Sequence, residues 1–426
     1  MKKVLIITYY WPPAGGPGVQ RWLKFVKYLR DFQIEPVVYI PSNPDYPIKD
    51  DSLENEVPNG IEILKQRIFE PYFLAKIFSK KQTSAISSGI IKDDNKQGFL
   101  QKLLLYIRGN FFIPDARKFW IKPSVKYLSE YIKQHKTDTI ITTGPPHSVH
   151  LIGLSLKEKL QVKWIADFRD PWTGIGYHKK LKLSETSEAK HIQLEAEVLQ
   201  KASHIITTSF TTKAEFELIT RVPITVITNG FDIDRPTSQV LDKTFTISHI
   251  GSLLSGRNPQ NLWNVLHELV EENPDFANDL RLKLVGAVSE EVLDSIKNSG
   301  LEKNLDQIGY VAHREALMLQ NRAQVLLLIE IDSVETRGII PGKLFEYLAS
   351  KRPILALGPE KWDVERILYE TGSGNFFNYS AKDELKYRIM AYYKLYKQDL
   401  LSSESKNIEK YSRRSLTGKL ADLLKH

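Results

Sequence analysis

The 426 residues include no cysteine. That excludes disulfides, thiolate metal sites, iron–sulfur clusters and thiol catalysis, and it suits the reducing cytoplasm. No run approaches the roughly 20 apolar residues that cross a bilayer. Met1-Lys2-Lys3 followed by Val4 to Ile7 imitates the opening of a signal peptide. The apolar run stops at Trp11-Pro12-Pro13, however, and no small-residue cleavage site follows. It reads as a first β-strand of a cytoplasmic protein. Neither a G-x-G-x-x-G fingerprint nor a G-x-x-x-x-G-K-S/T run occurs, so dinucleotide binding and P-loop hydrolysis lose support. There is no short internal repeat, no low-complexity tract and no recognised nucleic-acid module, so nucleic acid is not an expected partner.

Hydrophobic residues make up 42% and charged residues 26%, an ordinary globular balance. The length allows two or three domains, and two of near-equal size could each bury a core of their own. Lys plus Arg number 59 against 51 Asp plus Glu, a net charge of +8. This suits either an acidic partner, such as an anionic membrane or a phosphorylated substrate, or an ordinary solvated surface.

Short apolar runs alternate with helical patterns, which signals parallel α/β architecture. The first series has strands at Val4–Ile7, Pro36–Ile40, Thr139–Ile141, Trp164–Ala166, His204–Thr207 and Ile224–Ile227. A second runs through Thr246–Ile250, Leu282–Val285, Gln307–Val311, Val325–Ile329 and Ile354–Leu357. Val19, Trp22, Leu23, Val26 and Leu29 share one helix face, as do Leu262, Val265, Leu266 and Leu269. Two consecutive βα arrays predict two Rossmann-like domains rather than one barrel. The seam is expected near Asp234 to Lys243, where Arg235-Pro236-Thr237-Ser238-Gln239 interrupts the pattern.

Residues 61 to 135 read as an insertion. They hold 14 Lys or Arg against 6 Asp or Glu. Interleaved with these charges are Phe69, Tyr72, Phe73, Leu103, Leu104, Leu105, Tyr106, Phe111, Phe112, Phe119 and Trp120. Such a segment either lies on an anionic membrane surface or packs its apolar residues on the domain and leaves its lysines solvated.

Three loops carry candidate chemistry. Gly15-Gly16, between the first strand and helix, is either a plain tight turn or a place where phosphate or sugar meets a helix N-terminus. Gly251-Ser252-Leu253-Leu254-Ser255-Gly256-Arg257 follows the first strand of the second array, where ligands of open α/β sheets bind. Arg257 there would offer a fixed cation to a phosphate. In Ile340-Pro341-Gly342-Lys343-Leu344-Phe345-Glu346-Tyr347-Leu348-Ala349 a loop opens a helix. Lys343 is placed to hold phosphate beside free N–H groups, and Glu346 to accept from vicinal ribose hydroxyls.

Together these residues resemble the retaining glycosyltransferases of family 4, with the two-domain GT-B fold facing a deep cleft. Asn229-Gly230-Phe231-Asp232 resembles the Asn-Gly-x-Asp that closes the family's first domain. Gly251 to Arg257 resembles its Gly-Arg-Leu-x-x-x-Lys loop, with Arg257 at the Lys position and Ser252 in place of Arg. Lys343 to Ala349 resembles its nucleotide-sugar segment, whose last Glu binds the donor ribose. The family often has Glu-x7-Glu; Gly338 stands where the first Glu would be, which leaves the donor sugar open, and Glu335 is a poor substitute.

The resemblance implies residues 1–238 as acceptor domain and 239–400 as nucleotide-sugar domain, with a helix in 401–426 packing back on the first. It implies a metal-independent hexosyltransferase without cofactor, the nucleotide-sugar being substrate, acting on a glycan or lipid-linked acceptor in cell-surface polysaccharide synthesis. The basic, aromatic stretch 61–135 suggests the lipid-linked acceptor and a peripheral place on the inner face of the membrane. Arg257, Lys343, His147 and Arg169 are the catalytic candidates. Gly15, Gly16, Gly251, Ser252, Arg257, Gly342, Lys343, Leu344 and Glu346 are the donor-binding ones.

His147 lies in Thr143-Gly144-Pro145-Pro146-His147-Ser148-Val149-His150 and Arg169 in Asp167-Phe168-Arg169-Asp170-Pro171-Trp172, both after strands. Asp167 and Asp170 either serve the site or pair with Arg169 and cap the next turn. Asp232-Ile233-Asp234 matches a metal-binding Asp-x-Asp by sequence alone, and His147 and His150 have no third ligand nearby. No metal is expected. The competing readings are a catalytically degenerate GT-B binding subunit and a sugar-nucleotide epimerase or hydrolase.

Overall fold

A computed structural model describes residues 1–70, 99–174, 178, 181–232 and 240–425. The chain divides into two compact units, Met1–Thr228 with Arg413–His426, and Asn229–Ser412.

In the first unit the elements run β1 (Lys2–Thr8), α1 (Pro17–Leu29), β2 (Ile34–Pro41), β3 (Glu62–Gln66), α2 (Phe99–Phe111), α3 (Ile121–His135), β4 (Thr139–Gly144), α4 (Ser148–Leu160), β5 (Lys163–Phe168), α5 (Glu185–Lys201), β6 (His204–Thr207), α6 (Phe210–Glu217) and β7 (Ile224–Val226). The sheet is parallel, in the order β3-β2-β1-β4-β5-β6-β7. Val4 to Ile7 of β1 are buried without alternation, as a strand covered by helices on both faces requires. Pro17 sits in the first turn of α1, where its missing N–H costs nothing, and Val19, Trp22, Leu23, Val26 and Leu29 are buried beneath it.

The second unit runs β8 (Phe245–Ile250), α7 (Gln260–Glu272), α8 (Pro274–Asp279), β9 (Leu280–Val285), α9 (Glu290–Asn298), β10 (Leu305–Gln307), α10 (His313–Arg322), β11 (Val325–Ile329), α11 (Gly342–Ser350), β12 (Ile354–Leu357), α12 (Asp363–Thr371), β13 (Gly374–Phe377) and α13 (Lys382–Lys397). Its parallel sheet has the order β10-β9-β8-β11-β12-β13. The last helix, α14 (Arg413–Lys425), belongs to the first unit. Its Leu416, Leu420, Ala421 and Leu424 join that core, and Lys163 Nζ donates to the Leu423 carbonyl at 2.6 Å. Each such leucine, fully buried, contributes about 1.5–3 kcal/mol.

Several expectations from the sequence meet a different outcome. The units change at Thr228/Asn229 and Ser412/Arg413, where the sequence suggested residues 238 and 400; residues 234–239 of the expected seam lie outside the described residues. The strand expected at Gln307–Val311 is Leu305–Gln307, and Ile308 already donates to Leu284 as the chain leaves the sheet at Gly309.

The expected insertion is not one body. Residues 62–66 form the edge strand β3. Residues 121–135 form a layer helix whose Val125, Leu128, Tyr131 and Ile132 are buried at helical spacing. Trp120 is fully buried and stacks on Tyr39 at 5.0 Å, and Leu105 is fully buried against Leu181. Phe69, Leu103, Tyr106, Phe111 and Phe119 are exposed; Tyr72 and Phe73 lie outside the described residues.

Candidate active site

In each unit the strand order reverses at one place, between β1 and β4 and between β8 and β11. The connections leaving those paired ends diverge, and ligands of open α/β sheets bind there. The residues that follow β8 and β11 gather the candidates of the second unit.

Gly251 follows β8 with φ +120°, and a Cβ on it would lie 2.6 Å from Lys343 Nζ. The positive φ is what requires glycine there. Gly286, with φ +115°, closes up behind; a Cβ there would lie 2.8 Å from the Gly251 carbonyl oxygen. Tyr347 of α11 accepts from the Ile250 N–H at 3.0 Å and so ties the end of β8 to that helix.

Lys343 lies in the first turn of α11, its Nζ 3.3 Å from His249 Nε2. His249 Nδ1 is 3.0 Å from the Leu327 carbonyl. A carbonyl only accepts, so Nδ1 carries the proton and Nε2 turns its lone pair to the ammonium. Burial, reinforced by the Lys343 charge, holds His249 well below the ordinary histidine value. Lys343 is itself pushed down to about 8, by burial first and the Arg257 charge second, against the pull of Glu330 and Glu346. It is a charged, poorly hydrated cation at neutral pH, poised for an anion.

Arg257 sits in the turn ahead of α7. Its Nε and Nη2 donate to Glu330 Oε1 at 3.0 Å and Oε2 at 3.2 Å, a two-pronged pairing. Glu330 is the first residue after β11, 1% exposed at its side chain, and its Oε1 also accepts from the Ile331 N–H at 2.9 Å. The cation expected at Arg257 is thus held by a buried counter-ion.

The N-terminus of α11 has no side-chain cap. Gly342 faces open space. Leu344 is fully buried and its N–H already donates to the Pro341 carbonyl at 3.0 Å, so its side chain is a core residue. Glu346 Oε2 accepts from the buried Gln320 at 2.9 Å, and its Oε1 is 3.8 Å from His313 Nε2. Ser252 is exposed. Glu335 is also exposed and accepts from the Ser333 hydroxyl. The loop with Gly338 is pinned to α12, for Trp362 donates to the Ile339 carbonyl at 2.6 Å and Asp363 N to the Arg337 carbonyl at 2.9 Å.

In the first unit Gly15 donates to the Ile48 carbonyl at 3.0 Å, and Gly16, φ +107°, opens α1 with open space where a Cβ would lie. A Cβ on Gly18 would collide with Arg169 Nη1 at 1.4 Å, so Gly18 lets Arg169 lie across the first turn of α1. Arg169 Nε donates to the Gly144 carbonyl at 3.1 Å and Nη2 to that of Pro145. His147 stacks on Trp172 at 4.9 Å, and neither of its ring nitrogens has a partner.

Asp167 does not pair with Arg169. It is fully buried and accepts from Arg21 Nη2 at 3.0 Å, Trp22 Nε1 at 2.8 Å and Thr143 Oγ1 at 2.8 Å. Arg21, on α1, is its ion-pair partner. Its other prong reaches the Thr228 carbonyl at 2.8 Å.

His249, Glu330, Gln320, Gly286 and Gly18 were not singled out from the sequence. Each acts through a partner distant along the chain, and only Gly18, inside Gly16-Pro17-Gly18, carried a local signal. Among the described residues no group of three or more His, Asp or Glu is placed to hold a metal ion; Ile233 and Asp234 of the Asp-x-Asp match lie outside them.

The family model for Glycosyltransferase Family 4 matches residues 92–235. No curated protein matches the chain in sequence. Among solved structures it is similar to HepE of Anabaena in complex with UDP, at 14% identity and TM-score 0.62 over all of both chains. It is similar also to TarM, at 15% identity and TM-score 0.62 over 100% of this chain and 99% of that one. A third is the lipopolysaccharide outer core galactosyltransferase WaaB, at 13% identity and TM-score 0.57 over all of both chains. Residues 92–235 thus resemble glycosyltransferase family 4, and the chain as a whole has the GT-B fold of these solved structures.

Proposed function

We propose that this chain is a retaining hexosyltransferase that takes a sugar from a nucleotide-sugar donor, UDP-linked as the HepE complex suggests, and passes it to a glycan or lipid-linked acceptor of a surface polysaccharide. The observation that carries the reading is the second unit's cation cluster. Lys343, half-desolvated beside a neutral His249, feels the charge of Arg257 and stands at the open N-terminus of α11, with Glu346 one turn along.

Breaking a sugar–diphosphate bond leaves negative charge on the departing phosphate, which fixed cations and helix N–H groups stabilise without having to reorganise. In this reading the acceptor hydroxyl bonds to the anomeric carbon as the carbon–phosphate oxygen bond breaks on the same face. The hydroxyl proton passes to the departing phosphate oxygen. Glu346, oriented by Gln320, holds the ribose and supplies binding energy remote from the reacting carbon. Arg169 and His147, in the first unit, would contact the transferred sugar or the acceptor.

The test is calorimetric binding of UDP, GDP, ADP and CMP to the full chain and to Glu346→Ala. Saturable binding of UDP, weakened by the substitution, supports the reading; binding of none overturns it. Gly338 in place of the family's first Glu favours a second reading, a binding subunit without turnover. Donor consumed only when acceptor is present separates transferase from both that subunit and a hydrolase.

The exposed Phe69, Phe111 and Phe119, with Lys118 Nζ lying 5.4 Å from the Phe119 ring centroid, support a peripheral seat on an anionic membrane surface. No described helix is long and apolar enough to cross a membrane. Retention of the protein on anionic liposomes at low salt is the expected result; failure to be retained removes this part of the proposal.

A further inference from the structure

Among the described residues the two sheets end in four edge strands, β3, β7, β10 and β13. Three of them carry the devices that keep edges from pairing. β3 holds Glu62 and Lys65, β7 is three residues long and follows Pro223, and β10 is three residues long with Asp306. β13, Gly374-Asn375-Phe376-Phe377, carries neither charge nor proline.

The pairing of β13 with β12 shows which of its backbone groups are spent. Ile354 N and Gly358 N donate to the Ser373 and Phe377 carbonyls at 3.0 and 3.2 Å. A parallel ladder turns every second residue toward a given neighbour, so Asn375 and Phe377 face β12. The N–H and C=O groups of Gly374 and Phe376 point to the free edge, where no bond from the described residues reaches them.

A groove of about 450 Å³ lies beside that edge, between Asn375–Phe377 and the first turns of α13. Asp383, Glu384, Tyr387 and Arg388 line it from the helix, and Tyr387 is 74% exposed. On the same turns, Lys382 and Lys386 are paired with Glu268 and Glu272 of α7. Among the described residues Asp383, Glu384 and Arg388 make no ion pair; the Arg388 guanidinium lies 5.9 Å from the Tyr392 ring centroid. The helix thus spends its charges toward α7 and keeps both signs unspent toward the groove.

A ligand of one sign would leave some of these charges unmet. A second copy related by a two-fold axis meets both signs, since an isologous contact sets the same patch against itself. Antiparallel pairing with the axis at Asn375 places Gly374 opposite Phe376 of the second copy, and the reverse. Every free N–H and C=O of the two strands is then used. The helices that follow run antiparallel across the same axis, with Glu384 of each copy toward Arg388 of the other.

We propose that β13 and the first turns of α13 form a two-fold contact between two copies of this chain. The strand and helix turns involved are few, so the interface sits at the low end of specific ones. The dimer is therefore a reversible one, with a Kd on the order of 10 µM. Every residue invoked belongs to the second unit, and the proposal does not depend on the transferase reading.

The experiment is sedimentation velocity of the full chain at concentrations spanning that Kd, about 1 to 100 µM. The expected result is conversion of monomer to dimer and to nothing larger. Arg388→Glu and Glu384→Arg each set like charges against one another and should raise the Kd at least about tenfold. Mixing the two variants puts opposite charges together again, so the mixture should dimerise within about threefold of the parent's Kd. A charge with a merely structural role would not be rescued by mixing. Should either variant not fold, hydrogen exchange of the parent replaces it: the Gly374 and Phe376 amides should exchange more slowly as concentration rises. A chain that stays monomeric throughout, a dimer indifferent to both reversals or a mixture that stays monomeric would each overturn the proposal. So would assemblies growing beyond the dimer, or Gly374 and Phe376 amides that exchange alike at both ends of the range.

Discussion

The cluster at the ends of β8 and β11 and the histidines gathered after β4 handle buried polarity in opposite ways. In the second unit, Lys343, Arg257 and Glu330 stay charged in close quarters, each held by a group of matching character: a histidine lone pair, a carboxylate, a guanidinium. In the first, burial holds His147, His178 and His191 below the usual histidine value. His147 stacks on Trp172, whose Nε1 donates to His191 Nδ1 at 3.0 Å, and His178 stands edge-on to His191. A cluster with fixed cations selects an anion, whereas buried neutral rings hold only until acid charges them. The contrast itself is open to attack.

The largest effect should come from putting an unpaired charge where the first unit tolerates only a pair. Asp167→Ala strands Arg21 beneath α1 and should cost about 3–5 kcal/mol, seen as a lower urea midpoint. An undiminished midpoint would mean that the pair is not holding α1 to β5.

Acid tests the neutral histidines. A histidine whose folded pKa is depressed stabilises fully above its unfolded value, near 6.5, and loses that contribution as pH falls toward its folded value. For His178 that is about 4. At roughly 1.4 kcal/mol per pH unit, this histidine alone should take on the order of 3 kcal/mol from stability between pH 6.5 and 4. His178→Leu should flatten that part of the profile.

In the second unit, Lys343→Ala should weaken UDP binding about a hundredfold, by removing a desolvated charge-assisted contact. Affinity for UDP in the parent should fall as pH rises through about 8, where Lys343 loses its proton. Glu330→Gln removes a charge that props up that proton, so the same decline should begin at lower pH. Glu346→Ala should cost about tenfold in UDP affinity, the loss of two hydroxyl contacts, and less for inorganic diphosphate, which has no ribose.

Much of the fold could be read from the sequence, because buried parallel strands are continuous apolar runs and β1, β11 and β12 are of that kind. Residues 61–135 misled for a physical reason. The edge strand β3 is only half-buried and carries Lys65, and α3 shows solvent as much charge as any surface helix, so both resembled a basic appendage. Around the second unit's cluster, Lys343 and Glu346 announced themselves by their place on a helix opened by Pro341-Gly342. Glu330 did not, because Arg257 lies 73 residues away from it in sequence and only the sheet order brings the ends of β8 and β11 together. The three histidines left no spacing signal at all: they come from the loop after β4, the stretch before α5 and α5 itself.

The central claim is that Lys343 is a cation waiting for a diphosphate. The most direct test is calorimetry of UDP binding at pH 8 in two buffers of different ionisation enthalpy, for the parent and for Lys343→Arg. Uptake of about half a proton per UDP is expected in the parent, since a lysine of pKa about 8 is half-charged there. None is expected in the arginine variant, whose charge does not titrate. Binding without proton uptake in the parent, or equal uptake in both proteins, would contradict it.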